Sequence, residues 1–588
     1  MCKVTIDGAA VEVPEGSTIL DAAKLAGVDI PTLCYMAKIN EIGSCRVCVV
    51  EVEGQDGLAA ACNTPVFDGM SVRTATPRAI SARRQNVKTI LAGHRSECTT
   101  CKRSGTCALQ NLANSLGVAD LERDPVFTFE AWDGEFPLQR DATKCIRCMR
   151  CVAECAKVQH CSVWEMSGPA SYRGVRVVGG AHIADAGCAL CGQCITHCPT
   201  GALTARDDTD NVLAALADPQ TITVVQVAPA IRSAWGEGVG LAREQATQGR
   251  MVSALRALGF DHVYDTDFAA DLTIMEEGTE LLGRLNAAIG GDKGVKLPLM
   301  TSCCPGWVSF MEKHFPELAD NLSTAKSPQQ MFGAIAKNYF AQKLGIDRKD
   351  LVVVSVMPCV AKKAEAARPE FSRDGDPDVN ISITTRELAH MIRFANMDFA
   401  LLEEDDFDRP LGESTGAGVI FGATGGVIEA AVRTAYEVQT KKPLDRIDFT
   451  ELRGMEGVRS ATVDFDGTPV RIGIAHGLAN ARQLIREVVN GTSPYHAIEI
   501  MACPGGCIGG GGQPYHRGDI RLLQERTESL YAEDAHKPLR KSHENPYIQS
   551  LYRDFLGEPC GHLSHELLHT RYYNRKPVVE PCSTNTKK

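Results

Sequence analysis

The sequence has no stretch approaching the ~18 consecutive apolar residues that a bilayer crossing needs. LVVVSVM at 351–357 has the length of a buried strand. A charged leader followed by an apolar segment is also lacking, and MCKVTIDGAAVEV alternates as a strand does. These absences predict a cytoplasmic protein with no membrane partner. Surplus positive charge is missing too: 62 Lys and Arg face 73 Asp and Glu, a net charge of −11. A phosphate backbone is therefore not the expected partner, so no nucleic acid is predicted. The basic helical stretch PRAISARRQNVKTILAG is read as a solvated helix face, because no wider basic patch surrounds it. No G-x-G-x-x-G sits on a strand–turn–helix, and VIFGATGGV is too loose to serve, so this chain is not expected to bind a dinucleotide itself.

What is present is cysteine, 24 of them in 588 residues. In a long chain without an export signal, thiols spaced two or three residues apart point to metal rather than disulfides. Cys34, Cys45, Cys48 and Cys62 follow a predicted hairpin (turn at Asp7–Gly8) and a helix capped near Ser17. Strand, strand, helix, cysteine loop and strand is the order of a small β-grasp ferredoxin. The C-x10-C-x2-C-x13-C spacing departs from the plant-type pattern only in its first gap. His94, Cys98, Cys101 and Cys107 offer one imidazole and three thiolates, a set that suits zinc or a [4Fe–4S] cluster. The neighbouring clusters favour iron.

Two runs of C-x2-C-x2-C-x3-C follow, about 43 residues apart: Cys145, Cys148, Cys151 and Cys155, then Cys188, Cys191, Cys194 and Cys198. This is the bacterial two-cluster ferredoxin pattern, in which the fourth cysteine serves the other cluster. Cys198 is therefore assigned to the first set and Cys155 to the second. Beyond about 211, apolar strands (TITVVQVAP, LVVVSVMP, GVIFGATGG, VRIGIAHG) alternate with helices, which predicts an α/β domain with largely parallel sheets and its site at strand C-termini. From about 520 the chain is charged and helical. It has no core of its own and is expected to wrap the preceding domain.

The motifs TSCCPGW, MPCVAKKAE and MACPGGCIGGGGQP, in this order, resemble the active-site signatures of [FeFe]-hydrogenases, and the resemblance spans essentially the whole chain. It implies a multidomain α+β and α/β protein. The expected segments are a [2Fe–2S] β-grasp module at 1–78, a His-ligated [4Fe–4S] module at 79–137 and a two-cluster ferredoxin-like module at 138–210. A catalytic domain at 211–518 and a small-subunit-like helical region at 519–588 complete it. It further implies one [2Fe–2S] cluster, three accessory [4Fe–4S] clusters and an H-cluster, a cubane joined to a diiron centre with CO, CN⁻ and a bridging dithiolate. By resemblance the cubane ligands are Cys304, Cys359, Cys503 and Cys507, with Cys507 the bridge.

Cys303 is then a free thiol and the proton donor; a thiol with its pKa near 8.5 exchanges protons around neutrality. Glu277, Glu280 and Arg284, at helical spacing, match the family's proton path together with Ser323. Lys362 matches a cyanide-binding lysine. Met357, Met501, Pro358, Gln329 and Phe421 are expected around the cofactor. Ala230 stands where some relatives carry Ser. Cys2, Cys161, Cys560 and Cys582 remain as incidental thiols. The implied activity is reversible H₂ formation. The implied partners are H₂, protons, and a flavin-containing NAD(P)-binding subunit or a ferredoxin, with a hetero-oligomer favoured. The rival readings are a single-chain ferredoxin-dependent enzyme, a complex I-like electron-transfer subunit, and a non-catalytic Fe–S assembly relative.

Overall fold

A computed structural model describes residues 1–118, 131–168, 174–399 and 402–579. Cys582 and most of the C-terminal tail lie outside these, as does part of the segment joining the second and third modules. Among the described residues no helix is long and apolar enough to cross a membrane.

The first strands, Cys2–Ile6 and Ala9–Val13, pair antiparallel across the expected Asp7–Gly8 turn, where both residues take positive φ. They belong to a five-stranded sheet in the order 9–13, 2–6, 71–73, 49–52, 58–60. The helix Ile19–Leu25 is capped by Thr18, not Ser17: the Thr18 hydroxyl and the Asp21 carboxylate form a reciprocal capping box. Further along the chain come short helical turns and two antiparallel strand pairs, Leu138–Arg140 with Leu203–Ala205 and Trp164–Ser167 with Gly174–Val177.

Two four-stranded sheets form the large domain. One runs His262–Asp265, Ile222–Val227, Leu351–Met357, Ile381–Thr384, all parallel. The other runs Leu299–Met300, Ala497–Met501, Thr468–His476, Val458–Phe465, with only the last pair antiparallel. Buried on both faces, the parallel strands need the continuous Val/Ile runs seen in the sequence. The expected strand GVIFGATGG is instead helical, spanning Gly416–Val419 and Ile420–Gly422. Its glycines answer a packing need: a Cβ on Gly418 would sit 2.6 Å from the Asp267 carbonyl oxygen.

The C-terminal helices share the domain's core. Leu530 packs with Ala230, Val419 and Ile508, while Ile548, Leu551 and Leu568 pack with Phe268, Leu272 and Phe332. The region from 520 onward wraps the α/β domain through these apolar residues, and its end also meets the ferredoxin-like module, where Val579 bridges to Ala186.

Candidate active site and its electron relay

Four strands of the two sheets end at one cavity. Val227 leads to Ala228, Pro229 and Ala230; Met300 to Cys303 and Cys304; Met357 to Pro358 and Cys359; Met501 to Ala502 and Cys503. Carboxyl ends of parallel strands are where α/β sheets gather their sites. About 700 Å³ of atom-free space, open solvent included, lies in the cavity, and its lining includes Cys304, Cys359, Cys503 and Cys507 together with Cys303. Pro358, Met357, Met501, Gln329, Phe421 and Lys362 line it too. Nearly all of its wall is apolar; besides the thiols, Lys362, Gln329 and Thr266 contribute its polar side chains.

Four thiols, a cation and a dry wall suit a sulfur-ligated iron cofactor with small anionic ligands. Glycine makes the close approach possible. Gly506 has φ of +92°, and a Cβ there would lie 2.8 Å from the Thr424 amide; one on Gly512 would lie 2.8 Å from the Cys359 amide.

Lys362 is held rigidly. Its Nζ donates to Glu365 Oε2 at 2.8 Å, Ser327 Oγ at 2.7 Å and the Cys303 carbonyl at 3.3 Å. Burial works against its charge, but the Glu365 carboxylate beside it keeps the pKa above the ordinary lysine value. Gln329 donates to the same Glu365 oxygen at 2.9 Å. Ser327 and Glu365 were not singled out in the sequence; the only available signal was Glu365 standing one helical turn after Lys362.

Cys303 differs from expectation. Burial, followed by the nearby Glu277 carboxyl, pushes its thiol well above the ordinary value, so it holds its proton more firmly than a free cysteine. Glu277 is 3% exposed and neither carboxyl oxygen has a hydrogen-bond partner. Burial raises its pKa to about 8, with the Glu280 charge adding to the rise; Ser323 and the Ser302 amide, beyond hydrogen-bond distance, temper it. Ser323 Oγ donates to Glu280 Oε2 at 2.8 Å, and Glu280 Oε1 pairs with Arg284 Nη2 at 2.6 Å. Arg284 also donates to the carbonyls of Asp320 and Leu322. Glu277, Glu280 and Arg284 thus share one side of the helix Asp267–Ile289, with Ser323 opposite Glu280.

The other cysteine sets also converge. The thiol of Cys34 lies next to that of Cys45, and the thiol of Cys48 next to that of Cys62. Cys145, Cys148, Cys151 and Cys198 line one small cavity, whereas Cys155 lies with Cys188, Cys191 and Cys194. His94 is buried, which pushes its pKa down and favours the neutral ring. Its Nδ1 lies 3.1 Å from the Lys144 carbonyl, which only accepts, so Nδ1 carries the proton and Nε2 is left for a metal. Of the leftover thiols, Cys161 is buried beside Cys155, Cys2 belongs to the β-grasp core, and Cys560 touches Glu276.

The modules meet through specific contacts. Asn40 Nδ2 donates to the carbonyls of Cys34 and Cys148, at 2.7 and 2.9 Å. The Pro199 carbonyl accepts from Ala108 N at 2.9 Å and lies 3.6 Å from Cys107 Sγ, joining the His94 module to the Cys198 loop. Gln193 Nε2 donates to the Gly509 carbonyl at 2.8 Å, joining the second ferredoxin-like run to the cavity.

Fold and site together define an iron–sulfur enzyme of hydrogen metabolism, and the chain belongs to the iron-only hydrogenases. Residues 221–511 match the family described as "Iron only hydrogenase large subunit, C-terminal domain", and 520–575 match "Iron hydrogenase small subunit". Residues 1–77 match a 2Fe-2S iron-sulfur cluster binding domain and 83–121 the "NADH-ubiquinone oxidoreductase-G iron-sulfur binding region". The chain is 55% identical over 582 residues to the NADP-reducing hydrogenase subunit HndD of Solidesulfovibrio fructosivorans, covering 98% of this chain and 99% of that one. It is 37% identical to iron hydrogenase 1 of Clostridium pasteurianum, covering 97% and 100%. A solved variant of [FeFe]-hydrogenase HydA1 from Chlamydomonas reinhardtii superposes with a TM-score of 0.57 at 42% identity, covering 63% of this chain and all of that one.

Proposed function

We propose that the chain is the H₂-converting subunit of a soluble, NADP-linked hetero-oligomer, catalysing 2H⁺ + 2e⁻ ⇌ H₂. The observation that carries this is the single cavity lined by Cys304, Cys359, Cys503, Cys507, the extra thiol Cys303 and the cation Lys362. The four thiolates Cys304, Cys359, Cys503 and Cys507 would hold the cubane-containing cofactor in this cavity. When bound, that group supplies the metal at which protons and electrons combine. Cys303 keeps a proton at its sulfur for delivery; Glu277, poised near neutrality, replaces it, and Ser323 and Glu280 replenish Glu277. Lys362 offers its ammonium to an anionic ligand, and Met357, Met501, Pro358 and Phe421 exclude water.

Cys34, Cys45, Cys48 and Cys62 would hold one [2Fe–2S] cluster, and three [4Fe–4S] clusters would be held by His94/Cys98/Cys101/Cys107, by Cys145/Cys148/Cys151/Cys198 and by Cys155/Cys188/Cys191/Cys194; they would supply electron transfer. Asn40 joins the first set to the Cys148 loop, the Pro199 carbonyl joins the His94 set to the Cys198 loop, and Gln193 and Cys191 join the last set to the cavity, which supports that order. Identity to an NADP-reducing hydrogenase subunit along the whole chain supports a separate cytoplasmic subunit, flavin-containing, that handles the nucleotide. Infrared spectroscopy of the anaerobically purified native protein tests the core of this reading. CO and CN⁻ stretches are expected; their absence after maturation, with cubane iron in place, overturns it. In a Cys303→Ser protein the bands persist while H₂ turnover is lost, and normal turnover would remove the proton role.

A further inference from the structure

Cys560 reads in the sequence as an incidental thiol, yet the fold gives it close polar neighbours. It sits in the turn before the helix His562–Leu568, partly buried, with a left-handed φ of +56°. Residues other than glycine take that conformation uncommonly. Its amide donates to Glu276 Oε2 at 2.7 Å, and its Sγ lies 3.5 Å from the Glu276 carbonyl oxygen. His569, the C-cap of the same helix, places Nε2 3.0 Å from the same Glu276 carboxylate oxygen. The Cys560 sulfur, a Glu276 carboxylate oxygen and a His569 ring nitrogen all lie within 4.8 Å of one another. The Glu276 and His569 side chains are 0% and 2% exposed, so these groups meet out of reach of bulk water.

We propose that Glu276, Cys560 and His569 bind one zinc ion, which staples the C-terminal region to the helix Asp267–Ile289. One sulfur, one nitrogen and one oxygen donor form a mixed set that zinc accepts, at about 2.3 Å for sulfur and about 2.0–2.2 Å for the others. Two bonds of the shorter length bridge the 3.0 Å between Nε2 and Oε2. The charges balance as well. A thiolate and a carboxylate together cancel a dication, the imidazole being neutral, and burial penalises any charge left unmatched. Among the described residues no lysine or arginine pairs with Glu276, whose partner in the fold is His569. Binding releases the Cys560 thiol proton to water.

The surrounding groups orient the three ligands. Thr324 Oγ1 lies 2.8 Å from His569 Nδ1 and 3.3 Å from Glu280 Oε2. With Nδ1–H donating to Thr324, and the Thr324 hydroxyl donating to Glu280, Nε2 keeps its lone pair for the metal. The Tyr552 hydroxyl donates to Glu276 Oε1, which leaves Oε2 to face Cys560 and His569. Three protein ligands leave a fourth position for water.

The test uses the iron-loaded full chain, supplied with Zn²⁺ under anaerobic conditions and then desalted. Wild type, Cys560→Ala and His569→Gln are compared, with iron content and the CO and CN⁻ stretches confirming that each is folded and loaded. Elemental analysis should find one zinc per wild-type chain beyond its iron, and that zinc should be lost from both variants while their iron stays. Zinc K-edge X-ray absorption of wild type should show a single sulfur at about 2.3 Å, with nitrogen and oxygen at about 2.0–2.2 Å completing the shell. Should His569→Gln fail to load its iron, Cys560→Ala and the absorption spectrum decide. Wild type that holds no more zinc than Cys560→Ala would reduce the cluster to a hydrogen-bonded His569–Glu276 pair and overturn the proposal. Zinc bound through two or more sulfurs would lie in a vacant iron–sulfur site, and zinc with no sulfur would be adventitious. Either spectrum overturns the assignment to Cys560.

Discussion

Cys503 Sγ lies 3.7 Å from the backbone carbonyl oxygen of Cys191, so a thiol of the catalytic cavity touches the loop that holds the nearest accessory set. The approach depends on glycine. A Cβ on Gly511 would meet the Cys191 carbonyl oxygen at 2.5 Å and Gly192 Cα at 2.6 Å, and backbone cannot yield as a flexible side chain can. Gly511→Ala should therefore separate the two modules while leaving every thiol in place. The expected outcome is unchanged iron content and slower reduction of the accessory clusters by H₂, by several-fold, in freeze-quench EPR. An unchanged rate would mean that electrons do not cross here.

Asn40 is the corresponding link for the first module, buried at 2% exposure and donating to both Cys34 and Cys148. Asn40→Ala strands two carbonyls, a cost of about 1–3 kcal/mol for each group left unsatisfied. The β-grasp module should melt earlier in calorimetry. Electron entry through the [2Fe–2S] set should slow relative to entry from a small dye that reduces the other clusters directly.

Glu277 makes stability depend on pH. Its native pKa of about 8 stands above the reference carboxyl value of 4.5, so the native state keeps a proton that the unfolded chain has released. The stability this group contributes is full below about pH 4.5, falls as pH rises to about 8, and changes no further above that. Glu277→Gln keeps the shape and removes the charge. Measured on metal-free protein, the melting temperature of the variant minus that of wild type should grow between pH 5 and pH 8 and then level off. A flat difference would show that the carboxylate finds a partner when ionised.

Metal chemistry made the cluster sets legible. A cubane demands thiolates at fixed short gaps, so C-x2-C-x2-C-x3-C declares itself in one dimension, and the exchange of Cys155 and Cys198 follows from the same pattern. Strands with continuous Val and Ile were equally plain. GVIFGATGG misled because an apolar run punctuated by glycine looks like a strand and its turn. In the fold the glycines exist for contact, as Gly426 shows, where a Cβ would overlap the Ile420 carbonyl. What sequence could not show was the wiring assembled from distant segments. Thr324, His569 and Glu276 come from three helices or loops, and Asn40 reaches Cys148 across 108 residues. No local spacing encodes such contacts.

Lys362 is both a structural cation and a proposed cofactor ligand, and the two roles separate by double substitution. Lys362→Met alone leaves the buried Glu365 carboxylate without its ammonium, and breaking a buried pair in this way costs about 3–5 kcal/mol. Low activity in that variant would say nothing about the cofactor. Replacing both partners, Lys362→Met with Glu365→Gln, removes the stranded charge while keeping volume and the acceptor that Ser327 and Gln329 use. Its stability in chemical denaturation should return to within roughly 1–2 kcal/mol of wild type. The cubane EPR signal should be intact. If the ammonium binds an anionic ligand of the diiron group, the CO and CN⁻ stretches should nonetheless be weak or missing after maturation. Full-strength bands in the stable double variant would confine Lys362 to holding Cys303, Ser327 and Glu365 in place.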